Sequence, residues 1–166
     1  PRARRYDPGL MKVQDRPLAD RLEVGAPWVA TLGVRAISAL PEPLRRHILP
    51  TAFDRARDAF NRGDLEVVFA LFDPDVEYVP PPPLTDCPPI RGRAAVLEFW
   101  RDVFTRYDNN TIENLSLEET SRGRFVRRAR LQHRSSDSNE TLDYVILQTT
   151  ELTAGRVVRQ VNVLDP

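Results

Sequence analysis

The sequence predicts an α+β fold, with helices in the first two thirds of the chain and a sheet in the last third. Apolar residues recur at helical spacing as far as Tyr107, and strand-like alternation of inward and outward residues begins at Phe125. The 166 residues are 41% hydrophobic, which is enough to bury one good core. One domain with an appendage is therefore the expected organisation.

Two helices joined at a glycine are predicted before the first strand. The first has an apolar stripe made of Phe53, Ala56 and Phe60. It is expected to end at Gly63, because glycine is the residue type best suited to a left-handed helix end. The second is expected to be capped by Asp64 and has an apolar face made of Leu65, Val68, Phe69 and Phe72. Pro74 lacks a backbone donor and should end this helix, which leaves residues 76–79 as a strand.

A further helix is predicted from Arg93 to about Tyr107, after a proline-rich loop. Its apolar residues define a broad buried face: Val96, Phe99, Trp100, Val103 and Phe104. The loop contains the run Pro80 to Pro83, which favours polyproline II geometry. This loop is interpreted as a stiff rim or gate beside a pocket, with docking on an aromatic groove as the alternative.

Three strands are predicted to complete the chain, over residues 125–133, 142–152 and 156–164. The inward set of the first is expected to be Phe125, Arg127, Ala129, Leu131 and His133. One face of the second should carry Leu142, Tyr144, Ile146, Gln148, Thr150 and Leu152. The third alternates Val158, Gln160, Asn162 and Leu164 against Val157, Arg159, Val161 and Val163. Ala154-Gly155 is the expected hairpin turn.

Two segments of this chain closely resemble the opening of SnoaL-like domains. They are A-F-N-R-G-D-L-E-V-V-F-A-L-F-D-P-D-V-E-Y, from Ala59 to Tyr78, and the later I-R-G-R, which starts at Ile90. These are members of the nuclear-transport-factor-2-like superfamily. The resemblance implies a cone in which N-terminal helices pack on a strongly curved, mostly antiparallel sheet and enclose a pocket. It runs from about residue 44 to the end, which divides the chain into an arm with a short helix, residues 1–43, and a cone domain, residues 44–166.

The resemblance also places catalytic positions in this sequence. Tyr78 falls where ketosteroid-isomerase-like relatives carry an aspartate base, and its reference pKa near 10 disfavours that mechanism. Asn162 falls at a carboxylate position of limonene-epoxide-hydrolase-like relatives, where Arg127 could supply the cation. Polyketide cyclases of the family imply an aspartate with a histidine, for which His133 and Asp143 are loose analogues. His133 is therefore the one predicted catalytic residue, because its unperturbed pKa suits a general base.

A mixed pocket is expected to result, with apolar walls and a few directed polar groups, as in sites for small organic molecules. The predicted ligand-binding residues are Tyr78, Trp100, Phe104, Arg127, Tyr144, Gln148 and Asn162. The predicted function is small-molecule binding, with isomerase, cyclase or hydrolase activity on an apolar or polyketide-like ligand. The alternatives are a non-catalytic binding protein, a dimeric interaction domain and a packed cone without a ligand.

Composition argues against several other classes of function. The formal net charge is zero, which gives no electrostatic basis for binding nucleic acid. Cys87 is the only cysteine, so no intramolecular disulfide can form. The two histidines, His47 and His133, have no clustered carboxylates, which disfavours a metal site. No cofactor is expected.

The N-terminal region gives the weakest pattern. The first twenty or so residues are expected to be extended, with domain-like packing from about Pro27. Residues 26–40 are too short and too interrupted to span a bilayer, and are interpreted as an amphipathic helix with Trp28, Leu32, Ala36 and Leu40 on one side. No membrane association and a cytoplasmic location are expected. Lys12 is the only lysine, a bias typical of GC-rich coding and of a bacterial source.

Both faces of the last two strands carry apolar residues, which predicts a second cover for the sheet. The outward set is Val145, Leu147, Val161 and Val163. In related cone proteins the cover is the same face of another subunit, so the resemblance implies a homodimer.

Overall fold

The computed structural model describes residues 16–135, 137–138 and 140–166. Its helices are α1 Leu18–Gly25, α2 Pro27–Ala39, α3 Glu42–Asn61, α4 Leu65–Val68 and α5 Arg93–Arg106. Its strands are β1 Phe72–Val79, β2 Ile90–Arg91, β3 Asn109–Ser121, β4 Arg124–Arg134, β5 Thr141–Thr153 and β6 Arg156–Leu164. The predicted α+β class is confirmed.

The strands form one sheet in the order β2-β1-β6-β5-β4-β3. Only β1 and β6 pair in parallel, and the other neighbours are antiparallel. The two ends of this order do not pair, so the sheet is not closed into a barrel. The core fills the space between the helices and one face of the sheet, and α5 contributes its predicted residues Val96, Trp100, Val103 and Phe104 to it.

The prediction for the second helix was partly wrong. Helix α4 is a single turn, and Phe72 begins β1 instead of ending the helix. Pro74 therefore lies inside a strand, at a place where the pairing with β6 jumps from Phe72↔Val157 to Glu77↔Arg159. The irregularity tolerates proline because residues in it need no ladder hydrogen bond. The same pairing places Val157 on the buried face, which the simple alternation of β6 had assigned to the outside.

Strand β3 was missed altogether. It is the edge strand next to β4, and within it Ile112 is the only buried hydrophobic residue. Its sequence, N-N-T-I-E-N-L-S-L-E-E-T-S, is polar on both faces, as edge strands often are. An alternating apolar pattern therefore could not reveal it.

The N-terminal region also differs from expectation. The first twenty or so residues were predicted to be extended, and residues 1–15 of this segment lie outside the described residues. Helix α1 nevertheless starts at Leu18, and Arg16 and Asp20 are already buried, whereas domain-like packing was expected from about Pro27. Arg16 forms a buried ion pair with Asp64 at 2.8 Å. In α1, Asp20 binds Arg55 of α3 at 2.9 Å and Arg62, the residue that follows α3, at 2.8 Å. These ion pairs join α1 to the helices that cover the sheet.

Helix α2 is present as predicted, but its inward face was assigned wrongly. Leu32 is 52% exposed, whereas Val34 and Ile37 face the interior. The hairpin turn before β6 lies close to this helix, since a Cβ atom at Gly155 would stand 2.5 Å from the Thr31 carbonyl oxygen. Helix α3 runs across the predicted boundary between the arm, residues 1–43, and the cone domain, residues 44–166. This division stays a prediction.

Candidate functional site

A cavity of about 160 Å³ lies between the helices and the sheet. Val34 and Ile37 of α2 and Phe53 and Ala56 of α3 line it from the helical side. Ile48 of α3 also lines it and is 37% exposed, so the lining reaches the protein surface at this residue. Pro81 is buried against the same cavity, at the position predicted for a rim.

An aromatic wall closes one side of the cavity. Tyr78 of β1 and Trp100 of α5 both line it, and the Trp100 Nε1–H donates a hydrogen bond to the Tyr78 hydroxyl at 3.0 Å. Phe60 packs edge-on against Trp100, with ring centroids 5.1 Å apart. Burial raises the pKa of the Tyr78 phenol above its ordinary value. The phenol therefore stays protonated at neutral pH and is not a general base.

A row of polar side chains crosses the sheet at the bottom of the cavity. Arg127, Gln148 and Asn162 are direct neighbours across β4, β5 and β6. Gln148 Nε2 donates to Asn162 Oδ1 at 2.8 Å, and Asn162 Nδ2 donates to the carbonyl oxygen of Val79 at 2.6 Å. These bonds hold both amides in one orientation. Asn162 can orient a ligand but cannot accept a proton at neutral pH.

Arg127 is the cation of this row. It is 7% exposed, its Nη1 donates to Asn114 Oδ1 at 3.0 Å, and its guanidinium lies 5.7 Å from the centre of the Phe53 ring. Burial lowers the pKa of Arg127 to about 10, so it remains charged at pH 7. Asn114 in turn donates to Asp54 at 3.1 Å.

His133 is enclosed by hydrogen-bonding partners on both sides of its ring. Its Nδ1 lies 2.7 Å from Asn110 Oδ1 and its Nε2 lies 2.9 Å from the Tyr144 hydroxyl. An Nδ1–H tautomer that accepts from Tyr144 satisfies both contacts. Burial lowers the pKa of His133 to about 4. The ring is not among the residues that line the cavity, and its assignment as a catalytic base stays a prediction.

The predicted ligand-binding residues thus divide into two groups. The cavity is lined by Tyr78, Trp100, Arg127, Gln148 and Asn162. Tyr144 instead bonds to His133, and Phe104 packs against Phe60 with ring centroids 5.1 Å apart. The role of all seven residues in ligand binding stays a prediction.

Other lining residues were not singled out from the sequence. Thr150 and Gln160 line the cavity beside the polar row and are buried. The strand alternation could have identified them, because Thr150 lies two residues after Gln148 and Gln160 two residues before Asn162, on the same face of their strands. Asn114, which binds Arg127 but is not a lining residue, could not be found, since the strand that carries it was not recognised.

A model of the SnoaL-like domain matches residues 53–160 of this sequence. The chain belongs to the SnoaL-like domain family. The resemblance seen in the segment from Ala59 to Tyr78 is thereby confirmed. No curated protein sequence matches this SnoaL-like chain.

Several solved structures resemble this SnoaL-like fold, among them proteins described as NTF2-like. TerC, co-crystallised with polyporic acid, is 19% identical over 69% of this chain and 89% of its own, with a TM-score of 0.58. IdmH, a proposed polyketide cyclase from Streptomyces antibioticus, is 20% identical over 70% and 91%, with a TM-score of 0.58. An LEH-like epoxide hydrolase from M. tuberculosis is 14% identical over 69% of this chain and 80% of its own, with a TM-score of 0.56. At these identities the likeness establishes the fold alone.

No helix in the described part of this SnoaL-like chain is both long enough and apolar enough to cross a membrane.

Proposed function

We propose that this SnoaL-like domain binds a small apolar-to-amphipathic organic molecule in the cavity between its helices and its sheet. The observation that carries the proposal is the contrast between the walls of the cavity. Aromatic and aliphatic side chains form most of the lining, and one row, Arg127, Gln148 and Asn162, supplies oriented polar groups. Pockets for small molecules commonly have this composition.

The similar structures support the same proposal. TerC was crystallised with polyporic acid, which is an organic ligand, and IdmH and the mycobacterial hydrolase are described by reactions of small organic molecules. For this chain, binding is better supported than catalysis of the isomerase, cyclase or hydrolase type. The residues at the two carboxylate positions implied by the family, Tyr78 and Asn162, cannot accept a proton at pH 7. The Nε2 of His133 is already occupied by Tyr144.

Filling the cavity should weaken binding of a small molecule. Ala56→Trp places an indole where α3 lines the cavity, and we expect it to weaken binding of the neutral probe 2-naphthalenemethanol at least tenfold. Isothermal titration calorimetry measures the affinity, and urea unfolding measures the accompanying overpacking cost of about 1–3 kcal/mol. The matched control is Ala94→Trp, at an exposed position of α5. Equal affinity of wild type and Ala56→Trp would place the probe elsewhere.

We also propose that the chain forms a homodimer through the outer face of its sheet. Val145, Leu147 and Val161 are half-buried there, and Val163 is 46% exposed. Ion pairs border these residues, among them Arg130 with Asp143 at 2.6 Å and Arg159 with Glu77 at 3.1 Å. An apolar centre with a charged rim is typical of protein interfaces. Separately, we propose that the protein is cytoplasmic.

A further inference from the structure

Arg127 is a buried cation whose charge is not neutralised by a neighbouring carboxylate. It forms no ion pair within the described part of the chain, and its Nη1 donates instead to the neutral side chain of Asn114. Its Nε is buried and has no hydrogen-bond partner among the described residues. Such a group is costly to bury unless another molecule supplies the missing acceptor.

A second unpartnered donor lies on the same wall of the cavity. The hydroxyl of Thr150 is buried and also has no hydrogen-bond partner among the described residues. Thr150 pairs with Phe125 across β4 and β5, and the next inward pair on the same face is Arg127↔Gln148. Arg127 and Thr150 are therefore diagonal neighbours on one sheet face, separated by roughly 7–8 Å between backbones and within mutual reach of a bound group.

The rest of the cavity defines what that group can be. No aspartate or glutamate is among the described residues that line it. Phe53, Phe60 and Trp100 line the space opposite the sheet, so the remainder of a ligand would meet apolar surface. Two separate donors suit an anion with two oxygens, and Arg is well adapted to planar carboxylates.

We infer that the polar wall of the cavity binds the carboxylate of a planar, otherwise apolar ligand, through the Nε–H of Arg127 and the hydroxyl of Thr150. The inference rests on the proposed function and names the chemical class of its ligand. Arg127 supplies the charge that distinguishes an acid from its neutral analogue. Gln148 and Asn162, held by their mutual hydrogen bond, form the floor beside it.

The test compares one anionic and one neutral probe of similar shape, 2-naphthoate and 2-naphthalenemethanol, by isothermal titration calorimetry at pH 7.5. Wild type should bind 2-naphthoate about tenfold to a hundredfold more tightly, as expected for a charge-assisted hydrogen bond. Arg127→Gln should lose this preference, so that it binds the two probes with affinities within about threefold of each other. Arg128→Gln is the matched control, because Arg128 is exposed on the other face and pairs with Asp165.

A second measurement needs no variant that must fold. In wild-type protein labelled with ¹⁵N, the Arg127 Nε–H resonance should shift on titration with 2-naphthoate and not with 2-naphthalenemethanol. Equal affinity of wild type for both probes, an unchanged preference in Arg127→Gln, or an unmoved Nε–H resonance would overturn the inference. In the first case, binding of the neutral probe leaves the proposed function standing. Failure of both probes to bind would contradict the proposed function as well.

Discussion

Lowering the pH from 7 to 4 is expected to reduce the free energy of unfolding by about 3 kcal/mol through His133 alone. The pKa of His133 is lowered by burial from 6.5 to about 4, and each unit corresponds to about 1.4 kcal/mol. The unfolded chain therefore takes up this proton first as the pH falls. The contribution of the neutral His133 ring to the free energy of unfolding is complete above pH 6.5. It is lost between about pH 6.5 and 4 and changes little below pH 4.

The physical reason is that the site holds only the neutral ring without rearrangement. Its Nδ1–H faces the Asn110 oxygen, and its Nε2 accepts from the Tyr144 hydroxyl. Urea unfolding at a series of pH values should show the loss in wild type and a flatter profile for His133→Gln. Asp143→Asn is the control, because Arg130 and Gln132 hold the pKa of Asp143 at about 2, below this range. An equally steep profile in His133→Gln would assign the effect to other groups.

Replacing Leu147 with arginine is expected to convert the proposed dimer into monomers. Leu147 is opposite Val163 on the outer sheet face, beside Arg128 of β4. An arginine there would be buried against a second subunit without a partner, which typically costs about 3–5 kcal/mol and weakens association at least a hundredfold. Sedimentation velocity at micromolar concentration measures the change, and far-UV circular dichroism checks that the monomer is folded.

The matched control for this change is Leu115→Arg. Leu115 is 44% exposed on β3, the edge strand, and lies outside the outward set of β5 and β6. This variant should sediment as wild type does. A wild-type protein that is already monomeric at micromolar concentration would contradict the dimer, and so would a dimeric Leu147→Arg variant.

The fold was predictable wherever local pattern and tertiary environment agree. The buried face of α5 and the alternation of β4 and β5 were readable because each has one side in the core. Strand β3 was not readable, because an edge strand is paired through its backbone and needs few apolar side chains. The early start of β1 was hidden for a related reason, since Phe72 is buried equally well by a helix or a strand.

The sequence was enough to predict the family, helix α5, strands β4, β5 and β6, and the side chains of these elements that share a face, because strand alternation and helical spacing fix those faces. Which inward residues meet at the cavity depended on the tertiary fold. Cross-strand register aligned Arg127 with Gln148 and Asn162, and it left the Arg127 Nε and the Thr150 hydroxyl without hydrogen-bond partners in the part of the chain that the structure describes. The same register placed His133 beside Asn110 of β3. These outcomes depend on contacts between residues far apart in the chain, which no local periodicity encodes.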